Sequence, residues 1–375
     1  MNGEGPIFEG LRVLELATVL AGPSVGQFFA ELGAEVIKVE NPNTGGDVTR
    51  SWQGAGEDPA NDRPAYFTAI NWGKQSLAID LRSAEGQSQV HELVRETDVV
   101  IASYKPGDAE KLRVDYATLQ GMNPRLLYGH ITSYGPDNPR AGFDAIIQAE
   151  SGFTYMNGHP DGEPTKMPVA LTDVLAAHHL KEGLLVALIR RERTGRGSYV
   201  PVSLIQAAIS SLANQGTNWL VAGKVPQRKG NDHPNIVPYG TLFTTQDGRY
   251  LTLAVGNDAQ FRKLATILEQ SAWADDERFA TNAQRVIHRE LLLPQIQEAI
   301  ASWDRDTLLA QLAKERVPAG SVNTLPEVFS LPEAQEILLK NEAGTMTGVR
   351  NYVAGLEVES LNAPPSLPRN PGSME

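Results

Sequence analysis

The sequence predicts an α/β protein: a large domain built on a parallel sheet, followed by a smaller α+β domain. Three observations carry that expectation. Short apolar runs alternate with helical stretches through the first 130 or so residues. A segment rich in Gly, Pro and charge, Ala222 to Pro238, then interrupts the pattern. Beyond it the order changes to a hairpin followed by helices.

Taken in order, Leu11 to Leu16 (LRVLEL) reads as a buried strand. Gly22-Pro23 opens a helix through about Leu32, with Pro23 in the first turn, where a missing N–H costs nothing. Gly33 caps it, and Glu35 to Val39 is a second strand. Strand, helix and strand make a βαβ unit, the start of a Rossmann-like parallel sheet. Strands are expected next at Ser76–Leu81, Asp98–Ala102 and Leu126–Thr132, with a helix at Glu85–Glu96. Pro168 to Leu171 is a short apolar run, which puts Asp173 at a strand-to-helix junction. The helix from Val174 to about Arg193 is apolar around most of its circumference and is expected to be buried. Arg190, Arg191 and Arg193 suit its negative end, and Gly195 and Gly197 terminate it. A second helix is expected from Leu204 to Val221. After the linker, Gly240–Thr245 and Arg249–Val255 flank Gln246-Asp247-Gly248 as a hairpin, and helices follow at Asp258–Leu268, Arg289–Ala301 and Arg305–Glu315. The expected division is a large domain over 1–200, a linker helix over 201–224, a small α+β domain over 225–325, and a return to the large domain over 326–375, irregular after Leu361.

Composition narrows the chemistry. The 375 residues include no cysteine, which excludes disulfides, Cys-ligated metals and Cys nucleophiles. The net charge of −12 argues against nucleic acid or an anionic membrane as a partner, so an anionic ligand needs a local cluster of cations. Residues 1–10 lack a basic start and an apolar run, so no signal peptide is expected. The longest apolar run, Leu184–Ile189, is too short to span a bilayer; a soluble, cytoplasmic protein is expected. No H-x-x-x-H, H-E-x-x-H, G-x-S-x-G or Walker A pattern occurs, and no metal is expected.

The first βα turn, Ala21 to Gly26 (AGPSVG), sits where dinucleotide folds bind phosphate, but it lacks G-x-G-x-x-G and Pro23 removes a donor. It reads as a tight turn with close helix–sheet packing. Glu40, ending the second strand, stands where such folds keep an acid for a ribose. Asp173 reads in two ways. It is a helix N-cap, with Thr172 competing for that role. It is also a carboxylate held ionised by the free N–H groups of a helix start, which makes it a competent nucleophile toward an activated acyl group. Lys74, Arg82, Lys105, Lys111 and Arg113 cluster in the strand-rich region, several just after strand ends, where α/β folds bind ligands.

Six ordered blocks together resemble the family III CoA-transferases. They are the stretch from Gly10 to Arg50 (GLRVLELATVLAGPSVGQFFAELGAEVIKVENPNTGGDVTR), Asn71–Glu85 (NWGKQSLAIDLRSAE), Asp98–Gly107 (DVVIASYKPG), Arg140–Gly152 (RAGFDAIIQAESG), Val169–Gly197 (VALTDV…RTGRG), and Asn231–Pro234 with Pro238-Tyr239. The resemblance runs to about Val322. It implies that Asp173 is the nucleophile, passing CoA between an acyl-CoA and a free acid through an aspartyl-CoA thioester. Asp144 then falls near the reacting centre. Thr18, Ala21, Ile79, Arg82, Ser103, Tyr104, Lys105 and Lys111 fall on CoA contacts. CoA is a substrate and no tightly bound cofactor is implied. The likeness of VALTDV to dicarboxylate-using relatives suggests succinyl-CoA and a small dicarboxylate. The resemblance further implies a homodimer of interlocked ring-shaped chains, closed by the linkers near 201–230 and 320–335.

The sequence departs from the family at several positions. Leu20 replaces a glutamine beside the substrate of formyl-CoA transferases, Ala102-Ser103 replaces a Glu-Asn pair, and Pro201 interrupts a strand that usually carries an acid. The L-G-x-H-T helix common near the C-terminus of relatives does not occur. Two other activities compete. α-Methylacyl-CoA racemases keep the aspartate and add a histidine just before the residue matching Asp144; here that position is Phe143, which cannot move a proton. A non-catalytic CoA-binding protein is the remaining alternative.

Overall fold

The computed structural model describes residues 5–354 and 361–368. The first four residues of the segment read for a signal peptide, and the last seven of the tail expected to be irregular, lie outside the described residues, as do 355–360.

Six strands, β1 (Arg12–Leu16), β2 (Glu35–Glu40), β3 (Lys74–Ala78), β4 (Val99–Ala102), β5 (Leu127–Thr132) and β6 (Ser198–Ser203), form one sheet in the order β3-β2-β1-β4-β5-β6. Every pairing is parallel. β4 and β5 are buried along their whole length, as a sheet covered on both faces requires. Successive residues serve opposite faces. Val13, Val36, Ile101 and Leu127 join Val25, Phe29, Ala177, Leu180 and Leu184 on one side, while Leu14, Val39, Val100 and Tyr128 join Val90, Val94 and Leu119 on the other. Strand order reverses between β1 and β4, so a crevice opens beyond their C-terminal ends.

The helix after β1, Ala21–Glu31, approaches the sheet closely. A Cβ on Gly22 would stand 2.3 Å from that of Ala17, and one on Gly26 would stand 1.9 Å from Glu15 Oε2. The AGPSVG turn is therefore a packing device. Pro201 falls in β6, an edge strand, where a missing donor is tolerated.

Three expectations shift. β3 begins at Lys74 rather than 76, because Lys74 is drawn inside by Glu15 at 2.7 Å. It ends early because Asp80 turns the chain, accepting from the Arg82 N–H at 3.0 Å. The long helix begins at Leu171 and runs to Thr194, and no strand precedes it. Its buried positions, among them Asp173, Ala176, Ala177, Leu180 and Leu184, form a single stripe, while Val186 and Ile189 on the other side are 66% and 57% exposed. The helix expected over Leu204–Val221 is two, Leu204–Ser210 and Ala213–Ala222. Ser211 turns its hydroxyl back onto the Ala207 carbonyl, and Ala213 takes a left-handed φ of 47°.

Chain contacts define two units. The first holds the sheet and comprises the residues up to Phe153, Lys166–Gly223 and those from Gln335. In its last part, β10 (Leu338–Lys340) and β11 (Thr347–Val349) form an antiparallel pair. Asn351 and Tyr352 then donate backbone N–H groups to Glu31 at 2.7 and 2.8 Å. The second unit comprises Thr154–Thr165 and Lys224–Ala334. There β7 (Tyr239–Thr244) and β8 (Tyr250–Ala254) make the expected hairpin, turning at Gly248 with φ 72°, and β9 (Ala319–Ser321) adds antiparallel to β8. Helices Asp258–Ile267, Arg289–Ile300 and Arg305–Lys314 bring Phe261, Ile296 and Leu308 onto Phe243 and Leu251. Among the described residues, no helix is long and apolar enough to cross a membrane, and no cluster of His, Asp or Glu could hold a metal.

Candidate active site

The crevice at the strand-order reversal is shaped from beneath by buried charge. Lys38 on β2 reaches Glu15 of β1 and Asp47, both at 2.8 Å, with all three side chains fully buried. Lys74 takes the second oxygen of Glu15 and also donates to the Pro23 carbonyl at 2.8 Å. Burial works against ionisation of Asp47, but Lys38 outweighs it and holds the carboxyl below its ordinary range. Asp47 Oδ1 accepts from Thr49 and, at 3.4 Å, from the backbone N–H of Val19, a residue with φ 74°. The network thus sets the loop that follows β1.

That loop and the helix start after it, Thr18–Gly22, line a cavity of about 290 Å³ together with Ser103–Pro106 after β4, Ile131–Ser133 at the end of β5, Asn138, Arg140–Phe143, Leu204 and Asp173. The Thr18 N–H donates to Ser103 Oγ at 3.3 Å, so the serine that replaces the family's asparagine ties two of these loops together. A second cavity, also of about 290 Å³, shares Thr18 and Tyr104 with the first and adds Ile79 and Arg82.

Asp173 is the third residue of the long helix and 9% exposed. Asp144, the first residue of the helix Asp144–Glu150, holds the start of that helix from outside: its Oδ1 accepts from both the N–H and the hydroxyl of Thr172, each at 2.8 Å. Its Oδ2 accepts from Gln148 Nε2 at 2.8 Å, and Gln148 Oε1 accepts from the Met167 N–H at 2.8 Å. A helix-start donor that could have favoured an ionised Asp173 therefore serves Asp144 instead. Among the described residues, no hydrogen bond reaches the Asp173 carboxylate. Burial, reinforced by the charge of Asp144, pushes its pKa up to about 7. This reverses the expectation that the helix start keeps Asp173 ionised, and it removes the N-cap role, since Ala170 stands at that position without a side-chain cap.

The other residues singled out from sequence divide clearly. Thr18, Ala21, Ser103, Tyr104, Lys105 and Asp173 line the first cavity; Ile79 and Arg82 line the second with Thr18 and Tyr104. Asp144 lies behind Asp173 and lines neither. Lys111 also lines neither and pairs with Asp108 at 3.0 Å. Lys74 is a buried structural cation, and Arg113 is outside both cavities. Glu40 is not free for a ribose, because Arg50 grips it with two bonds of 2.7 and 2.6 Å.

Two residues carried no signal in the sequence. Asp47 orders the β1 loop through a backbone contact. His130 bridges the Tyr199 hydroxyl and the Tyr104 carbonyl, at 2.8 and 2.9 Å, under the β4 loop. Both contacts join positions far apart in the chain and follow no spacing rule.

Comparison with known proteins bears on this site. The model for CoA-transferase family III matches residues 8–374. Succinate–glutarate CoA-transferase of Agrobacterium fabrum is 43% identical over 364 residues, covering 94% of this chain and 90% of that protein. The human succinyl-CoA:glutarate CoA-transferase is 32% identical, covering 89% of this chain and 75% of its own. Among solved structures, a CaiB/BaiF family protein from Brucella suis superposes with a TM-score of 0.85 at 41% identity, covering 98% of this chain and 97% of that one. Rv3272 of Mycobacterium tuberculosis gives 0.83 at 30% identity, covering 97% of each chain. A family match along nearly the whole length, on a fold whose strand-order crevice carries a buried carboxylate, leads to one conclusion: the chain belongs to the family III CoA-transferases, and it transfers CoA between an acyl-CoA and a carboxylic acid.

Proposed function

We propose that Asp173 is the covalent nucleophile of this transfer, with succinyl-CoA as donor and a small dicarboxylic acid as acceptor. The observation that carries the reading is the state of Asp173: a buried carboxylate in the crevice cavity, with no described hydrogen-bond donor and a pKa near 7. A poorly solvated, unusually basic carboxylate is a stronger nucleophile than an ordinary surface aspartate.

In the first step an Asp173 oxygen bonds to the thioester carbonyl carbon, the C–S bond breaks, and CoA leaves as thiolate. The product is a mixed anhydride. The thiolate then attacks the aspartyl carbonyl, forming an aspartyl-CoA thioester and releasing the donor acid as its carboxylate. The acceptor carboxylate reverses both steps and leaves as the new acyl-CoA, with Asp173 restored. No proton is gained or lost overall, and the thioester bond energy is retained, so no nucleotide triphosphate is needed.

Thr18, Ala21, Ile79, Arg82, Ser103, Tyr104 and Lys105 hold CoA along the two adjoining cavities in this reading, with Arg82 and Lys105 suited to phosphate. Lys111 joins them only when its pair with Asp108 opens. Asp144 acts by seating Asp173. The substrates rest on the names of the relatives, which act on succinate or succinyl-CoA and glutarate. Racemisation is disfavoured by Phe143, whose ring lines the cavity where a second base would be needed. A homodimer is part of the same proposal. It is supported by the family resemblance and by apolar side chains that a single chain leaves exposed, such as Leu220 and Val221.

The direct test is incubation with succinyl-CoA and hydroxylamine. A hydroxamate on the peptide bearing Asp173, with loss of activity, is expected. Asp173→Ala and Asp173→Asn should lower transfer by several orders of magnitude while still binding CoA. Retention of more than a few per cent of activity would remove Asp173 from the mechanism.

A further inference from the structure

We propose that Arg140 binds the distal carboxylate of the acid whose other carboxylate exchanges with Asp173, and so selects dicarboxylic over monocarboxylic acids. The inference rests on the reading of Asp173 as nucleophile. Two residues that carry a cation are among those lining the Asp173 cavity, Lys105 and Arg140, and the Arg140 side chain is more than half exposed. Lys105 belongs to the loop of Tyr104, which continues into the second cavity where Arg82 lies, the end that the proposed CoA placement gives to the nucleotide. Arg140 stands on the segment that leads to Asp144, the residue that clamps the start of Asp173's helix. Its neighbours in the lining, Ala141, Phe143 and Leu204, offer no charge to a ligand. A single arginine at the edge of such a wall can select a ligand with a carboxylate to meet its guanidinium.

The guanidinium is also held in one orientation. Both Nη atoms donate to Glu150, the Nη1 bond measuring 3.0 Å, and the Tyr134 hydroxyl donates to the same carboxylate at 2.9 Å. The Tyr134 ring lies 4.5 Å from the guanidinium carbon. The Arg140 backbone N–H is fixed by Asn138 Oδ1 at 3.0 Å. Glu150 therefore covers the Nη1–Nη2 end of the fork. Among the described residues, the Nε–H has no acceptor, which leaves the side edge for a second carboxylate. Glu150 serves as a resident counter-ion that an incoming dicarboxylate must share.

The test uses the full-length protein and compares glutarate with glutaramate, in which an amide replaces the distal carboxylate. In double-displacement kinetics the kcat/KM of the acceptor reports only its own half-reaction, so effects on the donor drop out. In Arg140→Gln the ratio of kcat/KM for glutarate over glutaramate should fall about 10- to 100-fold, the loss expected when a charge-assisted donor is removed from an ionised acceptor. In Glu150→Gln the same ratio should rise, because the cation loses its competitor. A ratio unchanged within about twofold in Arg140→Gln, or a ratio that falls in both variants, would overturn the proposal. Failure of the wild type to turn over either acid, with no trapping by hydroxylamine, would instead sink the nucleophile reading. Calorimetric titration of the two acids into wild type and Arg140→Gln then decides the role of Arg140 without turnover, with unchanged selectivity counting against it.

Discussion

Asp173 illustrates how one side chain can be singled out from sequence while its surroundings are not. VALTDV carries the family resemblance that picks it out, and the structure puts it in the crevice cavity. Its ionisation was not legible, because that depends on burial and on Asp144, whose contact with Thr172 spans 28 residues. Reading the helix start as a stabiliser of charge missed that the Thr172 donor is engaged elsewhere. The pKa near 7 has two measurable consequences. In the proposed mechanism the ionised form attacks, so kcat/KM for the acyl-CoA should rise with pH through about 7 and then level off. Asp144→Asn removes the like charge and should move that limb to lower pH; an unmoved limb would mean that Asp173 does not control it. Stability should run the other way. The folded state holds the Asp173 proton more tightly than an unfolded chain, so this contribution favours folding below about pH 4 and is lost as pH rises to about 7. Above that, the buried charge costs up to about 4 kcal/mol. Asp173→Asn should therefore unfold at a higher temperature than wild type at pH 8, with the difference closing toward pH 4. A shift independent of pH would contradict this account.

At the scale of elements, the legible parts were those with continuous apolar character. β1, β2, β4 and β5 fall where their Val, Ile and Leu runs put them, because strands buried on both faces leave little choice of register. The less legible boundaries follow tertiary contacts. β3 starts early for the sake of Lys74 and Glu15, and the break at Ala213 follows from a backbone conformation that alanine alone does not announce. The charges beneath the β1 loop were also invisible, since Lys38 and Glu15 look like ordinary strand polar residues. Their removal is informative. Lys38→Met would leave Glu15 short of one partner and Asp47 without its cation, and should destabilise the protein by about 3–5 kcal/mol. Denaturant unfolding measures it, and a loss below about 1 kcal/mol would mean that the network relaxes without cost.

For the whole molecule, the α/β class with an added small antiparallel sheet was readable from the alternation and the hairpin signal. Assembly was not readable from pattern, because a helix apolar around most of its circumference fits burial within one chain as well as burial between two. The long helix covers one stripe in the single chain and leaves Val186 and Ile189 uncovered. A dimer that persists on dilution is the expected outcome in sizing and light-scattering measurements, and a monomer at micromolar concentration would contradict it.

Phe143 and Asp144 are neighbours in sequence with separate duties. The ring of Phe143, 66% exposed, lines the cavity, while the carboxylate of Asp144 turns away to fasten Thr172. The side chain that faces the cavity and the side chain that fastens the start of the long helix thus make separate contacts. A substitution at Phe143 would alter the cavity wall and leave the Asp144–Thr172 contacts in place. The start of the helix Asp144–Glu150 therefore admits a change of cavity wall without a change in what holds Thr172.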